Sequence, residues 1–451
     1  MINIWPAKRI EDISEKVGMG PFGSSIKVET FVSEGVPIIS GQHLHGFKLD
    51  DSVGYNYITA QHAEKLKGAI VHRGDIVFTH AGNIGQVAVI TKDSQHENYV
   101  LSQRQFFLRC DPEKSDPEYI VAYFKSPEGR HKLLANTSQV GVPSISKPVT
   151  YLRSIEIPLP PLSEQRAIAH ILGTLDDKIE NNRKTAKTLE AMAQAIFQSW
   201  FVDFDPVRAK MAGESRESIC QRLKLTPEIL DLFPDRLVDS ELGEIPDGWV
   251  LNPISEIIEF NPAMPIKKNV AAPYLDMASL PTVGSWPADP IFRPYSSGMK
   301  FQNGDTLLAR ITPCLENGKT AYIQCLKDHS VGWGSTEFIV MRPKPPVPSA
   351  VAYLVARNNK FRAHAIQSMT GTSGRQRSQV HTISEFQVIQ PDNANIWPYF
   401  GSVSVPIFNS IRSFARKNIL LIKLRDTLLP KLISGEIRVP EAEHLIEEAA
   451  G

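Results

Sequence analysis

Two stretches of the chain, about 230 residues apart, show the same order of apolar and polar segments. The segment RGDIVFTHAGNIGQVAVI (73–90) parallels NGDTLLARITPCLENGKTAYI (303–323), and each begins with a Gly-Asp pair. Further along, LSQRQFFLRC (101–110) parallels GWGSTEFIVMRP (332–343). Short runs of alternating or continuous apolar character predict β-strands in all four segments. The shared offset indicates an internal repeat of one structural plan.

The repeat continues through a helix, a polar loop and a closing strand. Val121-Ala122-Tyr123 matches Val351-Ala352-Tyr353, and each triplet is expected to open a helix. A Gly/Ser-rich polar loop then follows at NTSQVGVPSISKP (136–148) and at QSMTGTSGRQRSQ (367–379). A closing strand is predicted over RSIEIPLP (153–160) and SEFQVIQP (384–391). Each repeat therefore predicts a mixed α/β domain of ordinary size.

A long amphipathic helix is predicted after each domain, with apolar residues spaced alternately four and three apart, as in a coiled coil. Ser163 is the expected N-cap of the first helix, and the second is expected after Pro406. The first seam comprises Ile168, Leu172, Leu175, Ile179, Asn182, Leu189, Ile196 and Trp200. The second comprises Ile411, Phe414, Asn418, Leu421, Leu428 and Leu432. We expect the helices to pair with each other; the alternative is that each covers only its own sheet.

These patterns divide the chain into six segments. The predicted boundaries are 1–160 and 246–395 for the two α/β domains, 161–205 and 396–437 for the helices, 206–245 for a linker, and 438–451 for a tail. The linker is acidic and helix-prone, and its carboxylate-rich string PDRLVDSELGE (234–244) is interpreted as solvated, without a strand. The acidic, alanine-rich tail is expected to fray.

The charge of the chain is balanced but unevenly distributed. Lys and Arg number 49, as do Asp and Glu, which by itself argues against a strongly basic nucleic-acid binder. However, no acidic residue occurs from Phe338 to Ser384 or from Gly129 to Ile155, although both windows contain Arg and Lys. Either these windows form two basic surfaces on a neutral protein, or they are local fluctuations of charge.

The sequence carries no recognisable catalytic or metal motif. Phosphate-binding and dinucleotide-binding glycine loops are absent, and Asn261-Pro262-Ala263-Met264 fits a turn better than a methyltransferase motif. His43 and His45 have no third ligand nearby, and the four cysteines lack zinc spacing. There is no apolar leader and no run of about 18 apolar residues. We therefore expect a reduced, cytoplasmic protein that binds no metal or cofactor itself.

The polar loops supply side chains that can read base edges, namely amides, hydroxyls and basic groups. The candidates are Ser138, Gln139, Ser144 and Lys147 in the first loop, and Thr372, Ser373, Arg375, Gln376 and Arg377 in the second. Gly371 and Gly374 would let the backbone approach phosphate. Second choices follow the Gly-Asp strands: His80, Asn83, Arg310 and Asn317. Each could instead be an ordinary surface residue.

Two segments resemble the conserved regions of type I restriction–modification specificity subunits. They are PLPPLSEQRAIAHILGTLDDKIENNRKTAKTLEAMAQAIFQSWFVDFDPV (158–207) and KLRDTLLPKLISGEI (423–437), and the strand motif at 73–90 also resembles a part of their target-recognition domains. The resemblance extends over the whole chain in order. One departure is NIWPYFGSVSVPIF (395–408), which lacks the SEQR-like start of the first helix, so the two helices need not offer identical docking surfaces.

The resemblance implies two target-recognition domains in tandem, each followed by a long helix, with the helices paired as an antiparallel coiled coil. It implies that each domain reads one half of a split target in double-stranded DNA. It also implies that methyltransferase subunits, two in number, dock on the helices and that restriction subunits join them. S-adenosylmethionine, ATP and Mg²⁺ would belong to those partners, and this chain would be non-catalytic.

Two other functions remain open. The chain could be the recognition part of a nuclease–methyltransferase whose catalytic region lies on another gene or is lost, which predicts DNA binding with different partners. It could instead be a coiled-coil adaptor for proteins alone, which would not need acid-free loops at equivalent places in both domains. Retention on nonspecific DNA over a range of salt concentrations separates the adaptor from the two DNA-binding functions.

Overall fold

The computed structural model of the chain describes residues 5–23, 25–138, 141–241, 243–372 and 374–450, without the side chains of 448–450. The chain forms two compact units. The first unit contains residues 1–181 and 418–451, and the second contains 182–417. The chain thus leaves the first unit and returns to it at its C-terminal end.

The first unit is built from two four-stranded sheets and two smaller ones. Its strands are β1 (Ala7–Arg9), β2 (Ser14–Met19), β3 (Val36–Ile39), β4 (Asn56–Ile58), β5 (Ile70–His72), β6 (Ile76–Thr79), β7 (Val87–Val89), β8 (Asn98–Leu101), β9 (Gln105–Cys110), β10 (Thr137–Ser138), β11 (Ser144–Ile145) and β12 (Glu156–Pro158). Its helices are α1 (Ala60–Lys65), α2 (Pro117–Lys125), α3 (Pro127–Leu134), α4 (Pro148–Ser154) and the first half of α5 (Leu162–Phe201).

The sheet β2-β9-β6-β7 is central to the first unit because both of its faces are covered. Ile76 and Phe78 of β6 pack into the core formed with α2, while Val77 between them packs into a second core beneath the sheet β4-β3-β8-β5. Such two-sided burial explains why the strand is a continuous apolar run instead of an alternating one. Strands β3 and β8 pair in parallel, and the other pairings are antiparallel.

The second unit repeats this plan. Its strands are β13 (Leu237–Ser240), β14 (Gly243–Pro246), β15 (Val250–Pro253), β16 (Ile258–Phe260), β17 (Ala271–Leu275), β18 (Ile291–Pro294), β19 (Met299–Phe301), β20 (Thr306–Ala309), β21 (Thr320–Tyr322), β22 (Gly332–Gly334), β23 (Phe338–Pro343), β24 (Met369–Thr370), β25 (Arg377–Ser378) and β26 (Gln387–Gln390). Its helices are α6 (Asp205–Met211), α7 (Arg216–Leu223), α8 (Pro227–Leu230), α9 (Ala350–Arg357), α10 (Asn359–Gln367), α11 (Val380–Ser384) and the first half of α12 (Ile396–Ser434).

Four sheets of the first unit have a counterpart with the same strand order in the second unit. The sheet β16-β23-β20-β21 matches β2-β9-β6-β7, and β18-β17-β22-β19 matches β4-β3-β8-β5. The pairs β15-β26 and β24-β25 match β1-β12 and β10-β11. The internal repeat predicted from the hydrophobic pattern is therefore confirmed by topology. The triplets at Val121 and Val351 lie inside α2 and α9, four and one residues after the helices begin.

The repeated Gly-Asp pair is a structural device. Gly74 and Gly304 have φ of +93° and +94°, a left-handed conformation that favours glycine. The following aspartate is buried in each unit, and Arg109 and Arg342 donate two hydrogen bonds of 2.7 Å to Asp75 and Asp305, respectively. The motif thus fixes the turn that leads into β6 or β20.

The long helices α5 and α12 pair antiparallel within each unit. In the first unit, the apolar residues of the early part of α5 share a core with Leu428 and Leu432 from the late part of α12. There, Asn418 donates from Nδ2 to the carbonyl oxygen of Ile179 at 3.2 Å. In the second unit, the aromatic rings of Phe201 and Trp397 stack with centroids 4.6 Å apart.

Every predicted seam residue is at least partly buried. Ile168, Leu172, Leu175, Ile179, Asn182, Trp200, Ile411, Asn418, Leu428 and Leu432 are buried, and Leu189, Ile196, Phe414 and Leu421 are half-buried. The predicted antiparallel coiled coil is confirmed.

Two local predictions for the starts of these helices, the N-cap at Ser163 and the start after Pro406, differ from the structure. Helix α5 begins at Leu162, so Ser163 lies inside its first turn and is not the N-cap. Helix α12 begins at Ile396, and Pro406 lies in its interior instead of before it. Gln165, which was not predicted to matter, is fully buried in the first turn of α5, where it donates to the carbonyl oxygen of Pro160 and accepts from the amide of Asp116.

Two predictions for the connecting and terminal segments are wrong. The string at 234–244, expected to lack a strand, contributes to an antiparallel hairpin of β13 and β14. Residues 205–233 are helical as predicted, but they are packed: Ile219, Ile229 and Phe233 are buried in the core of the second unit. The C-terminal tail forms a helix, α13 (Val439–Ala450), with Ala442 fully buried in the first unit. Although these segments are acidic, their apolar residues recur on one face, so that face packs against the core and the segments fold.

Candidate nucleic-acid interface

In the first unit, the loop after β6 and the β10-β11 hairpin are joined by backbone hydrogen bonds. The amide of Ile145 donates to the carbonyl oxygen of His80 at 2.8 Å, and the amide of Gly82 donates to that of Pro143 at 3.0 Å. On the other side, the amide of His80 donates to the carbonyl oxygen of Arg104 at 2.9 Å. Residues 80–85, 103–104, 136–138 and 141–147 therefore form one layer, which we call the first polar surface.

The second unit has the same layer. The amide of Ser378 donates to the carbonyl oxygen of Arg310 at 2.8 Å, and the amide of Thr312 donates to that of Gln376 at 3.0 Å. The amide of Arg310 in turn donates to the carbonyl oxygen of Glu337 at 3.0 Å. Residues 310–317, 335–337, 368–372 and 374–378 form what we call the second polar surface. The described first-choice and second-choice candidates, predicted separately, thus lie together in each unit.

The candidate side chains differ in exposure. Asn83, Lys147, Thr372, Arg375 and Asn317 are exposed, as are Gly371 and Gly374. Ser138, Ser144, His80, Arg310, Gln376 and Arg377 are half-buried. Gln139 and Ser373 lie outside the described residues. Which of these side chains touch bases stays a prediction.

Four positions, three glycines and one lysine, shape the two loops. Gly371 and Gly374 have φ of +132° and +82°, and Gly141 has φ of +77°. Lys147 adopts φ of +46°, which is uncommon for a residue other than glycine. Because no Cβ contact opposes the backbone at Gly374 or Gly141, these tips are open to a ligand that approaches closely.

His80 is a neutral donor at ordinary pH. Burial lowers the pKa of its imidazole below the usual value, and its Nε2 lies 3.1 Å from the carbonyl oxygen of Gln103. A carbonyl oxygen only accepts, so Nε2 carries the proton and donates. The imidazole is therefore fixed in one tautomer by the first polar surface.

Arg377 is engaged within the second polar surface. Its Nε and Nη2 donate to the carboxylate of Glu337, with the shortest distance 2.7 Å. The hydrogen bond from Arg377 holds the pKa of Glu337 below its usual value. Sequence reasoning missed Glu337 because it lies 40 residues before Arg377 and at the edge of an acid-free window, so no local motif links the two.

Arg104 was missed in the same way. It is exposed at the start of β9, and its Nη1 lies 3.3 Å from the position that a Cβ on Gly82 would take. The signal that could have found both residues is the repeat itself, because Arg104 and Glu337 immediately precede the matching strands β9 and β23.

The histidine and methyltransferase-like strings have structural roles. His43 is buried and stacks on Tyr55, with ring centroids 4.4 Å apart. Asn261 adopts φ of +50° and accepts from the amide of Val340 at 2.9 Å, which agrees with the predicted turn. Among the described residues, no group of three or more His, Cys, Asp or Glu could hold a metal ion. Nor does any described helix have the length and apolarity needed to cross a membrane.

Comparison with known proteins agrees with this architecture. The model of the type I restriction modification DNA specificity domain matches residues 4–191. The specificity subunit of the type I restriction enzyme MjaIX from Methanocaldococcus jannaschii is 25% identical over 97% of this chain and 94% of its own length. The chain is thus similar to type I restriction–modification specificity subunits over nearly its whole length.

Two further proteins resemble the chain over most of its length. The specificity subunit of the type I restriction enzyme HindI from Haemophilus influenzae is 24% identical over 81% of this chain and 87% of its own length. The solved structure of an S subunit of a type I restriction–modification system from M. genitalium shares the fold, with a TM-score of 0.54, 16% identity and 96% coverage of each chain. These curated relatives are named as specificity subunits of type I restriction enzymes, and each matches most of this chain.

Proposed function

We propose that this chain is a specificity subunit that reads a two-part target in double-stranded DNA, one half with each polar surface. The observation that carries the proposal is the recurrence of one hydrogen-bonded polar layer at the same place in two units of equal topology. A protein that reads two half-sites needs two readers of the same kind, whereas a protein adaptor has no need of them. Basic and amide side chains at such a layer suit both phosphate contact and base readout.

We further propose that α5 and α12 carry the partner subunits and separate the two readers. Support comes from apolar side chains left exposed on these helices: Met192 and Val405 in the second unit, and Leu420 in the first. Exposed apolar residues that recur on a helical pair suit a protein partner. The partners would be two methyltransferase subunits, with restriction subunits joining them in the cytoplasm. S-adenosylmethionine, ATP and Mg²⁺ would be bound by those partners.

The test is co-expression of the chain with its methyltransferase subunit, followed by single-molecule sequencing of the host DNA for methyladenine. A methylated motif in two parts with a fixed unspecified gap supports the proposal. Stable association without any such motif contradicts the two-part reader. Retention of the purified complex on nonspecific DNA across salt concentrations would then separate a DNA-binding assembly from a protein adaptor.

A further inference from the structure

Three positions on each polar surface are equivalent between the units because the same backbone hydrogen bonds fix them. Each surface has one residue just before β9 or β23, one just after β6 or β20, and one at the start of β11 or β25. The bridge from Ala81 to Ser144 corresponds to the bridge from Ile311 to Arg377. The resulting triplets are Arg104, His80 and Ser144 in the first unit, and Glu337, Arg310 and Arg377 in the second.

The backbone at these positions is shared, but the side chains are not. The first triplet contains one permanent cation, Arg104, with a neutral imidazole and a hydroxyl beside it. The second contains the guanidinium groups of Arg310 and Arg377 and the carboxylate of Glu337. Glu337 forms an ion pair with Arg377. Both triplets carry a net charge of about +1 at neutral pH, given that arginine stays protonated and glutamate ionised. They therefore attract DNA alike but present different donors and acceptors.

We propose that these triplets set the base preference of each half-site, with Arg104 as a base-reading residue and Glu337 as the positioning residue for Arg377. This rests on the proposed function of a two-part DNA reader. An exposed guanidinium donates in bidentate fashion to O6 and N7 of guanine. The proposal therefore assigns a guanine to Arg104 in the first half-site and a guanine to Arg377 in the second.

The ion pair orients Arg377 without using up its donors. A guanidinium has five N–H donors, and Glu337 accepts from Nε and from Nη2. The two N–H groups of Nη1 and the second one of Nη2 stay available, and they form the outer fork that guanine accepts. Glu337 thus reduces the number of orientations that Arg377 samples before it meets DNA, which lowers the cost of ordering it.

The decisive experiment sequences the methylated motif made by the wild-type complex and by three variants, each co-expressed with the methyltransferase subunit. Arg104→Gln should replace guanine by adenine at one position of one half-site, because glutamine pairs with N6 and N7 of adenine. The exchange E337R/R377E keeps the ion pair but moves the guanidinium across the surface, so it should change the second half-site only. Arg73→Gln, at the opposite end of β6, is the control and should leave the motif unchanged.

The size of the change is measurable as a ratio of methylation rates. A single bidentate contact discriminates between bases by roughly 5- to 150-fold, and Arg104→Gln should reduce the preference for the original base by a factor in that range. The exchange variant tests whether the Glu337–Arg377 ion pair orients a base-reading guanidinium or only stabilises the fold. A purely structural ion pair predicts that E337R/R377E retains the wild-type motif, and that result overturns the role given to Glu337.

Two other outcomes have distinct meanings. If Arg104→Gln lowers methylation at all sites equally, Arg104 contacts phosphate and the proposal for the first triplet is wrong. If the wild-type complex yields no two-part motif, the proposed function itself fails, and this inference fails with it. Should the exchange variant not accumulate as a soluble complex, the exposed Arg104→Gln variant still decides the question for the first unit.

Discussion

At the scale of single residues, the buried aspartates of the Gly-Asp pairs have a clear energetic role. Asp75 is 1% exposed and accepts both hydrogen bonds of the Arg109 fork, and it also accepts from the amide of His72 at 2.8 Å. An arginine that loses the carboxylate to which it donates, in a partly buried site, is left with a poorly compensated charge. The motif that first revealed the repeat therefore contributes to folding, and the residues that differ between the units lie at the other end of the strand.

Asp75→Asn should lower the free energy of unfolding by about 2–4 kcal/mol, somewhat below the full cost of breaking a buried pair because Arg109 is partly exposed. Urea unfolding of the full chain measures the change. Asp177→Asn is the matched control, because Asp177 is exposed and its partner Lys48 is half-buried at the surface, and it should cost less than about 1 kcal/mol. Equal losses in the two variants would contradict the role of burial.

Lys125 gives a pH dependence of known sign. Burial lowers the pKa of its ammonium to about 8 from 10.5, although Asp176 acts in the opposite direction. Its Nζ lies 5.2 Å from the centre of the Phe47 ring, in the core of the first unit. The folded protein therefore releases this proton at lower pH than the unfolded chain does.

Relative to the Lys125→Met variant, the wild type should gain stability as the pH rises from about 8 toward 10.5, and the difference should be constant below pH 7. The reason is that the unfolded chain binds more protons in that window. Urea midpoints of both proteins between pH 6.5 and 10 test this. A difference that does not change with pH would show that Lys125 titrates at its ordinary pKa.

At the scale of elements, the paired helices combine a buried seam with exposed apolar positions. Leu172 is fully buried in the first unit, whereas Leu420 on α12 is 65% exposed. Leu172→Ala should cost about 2–5 kcal/mol in unfolding free energy, because a cavity remains in the core. Leu420→Ala should leave unfolding nearly unchanged, and denaturation of the purified chain compares the two.

The same pair of variants tests the docking proposed for the helices. If Leu420 contacts a methyltransferase subunit, Leu420→Ala should weaken co-purification of that subunit at unchanged stability. Unaltered co-purification would exclude this part of α12 from the contact.

Elements were predictable from sequence where a pattern is local and strong. The apolar runs of β6 and β20 and the heptads of α5 and α12 define their elements without any distant contact. The hairpin of β13 and β14 was missed because acidic residues on its exposed positions conceal a short strand pattern. Pro406 suggested a helix boundary, since proline lacks the amide donor, yet apolar residues on both sides, from Trp397 to Ile411, pack into one core and hold the helix together.

The candidate site was predictable as a pair of loops but not as a set of contacts. Arg104 and Ser144 are 40 residues apart, as are Glu337 and Arg377, and only the folded sheet brings them to neighbouring positions. The acid-free windows predicted basic loops, and Glu337 lies immediately before the second window, so the window does not include it.

At the scale of the whole molecule, a net charge of zero requires that DNA affinity come from a few local cations. Neutralising one phosphate contact lowers the slope of log affinity against log salt by about 0.9 in magnitude. Arg375→Ala and Lys147→Ala, both exposed on the polar surfaces, should each reduce the slope by about this amount and weaken all sequences alike. Lys92→Ala, exposed but outside both surfaces, is the control. Binding isotherms of the complex from about 50 to 200 mM salt give the slopes, and identical slopes in all proteins would exclude these contacts.

The hydrogen bonds that join each hairpin to its sheet run from main chain to main chain, as between Ile145 and His80 or between Ser378 and Arg310. Such bonds form whatever side chain is present, provided that it is not proline. Substitutions at the three equivalent positions can therefore accumulate at little cost to folding. A lineage of such proteins could acquire a new target by one or two point mutations, while the architecture that presents the target-reading residues stays the same.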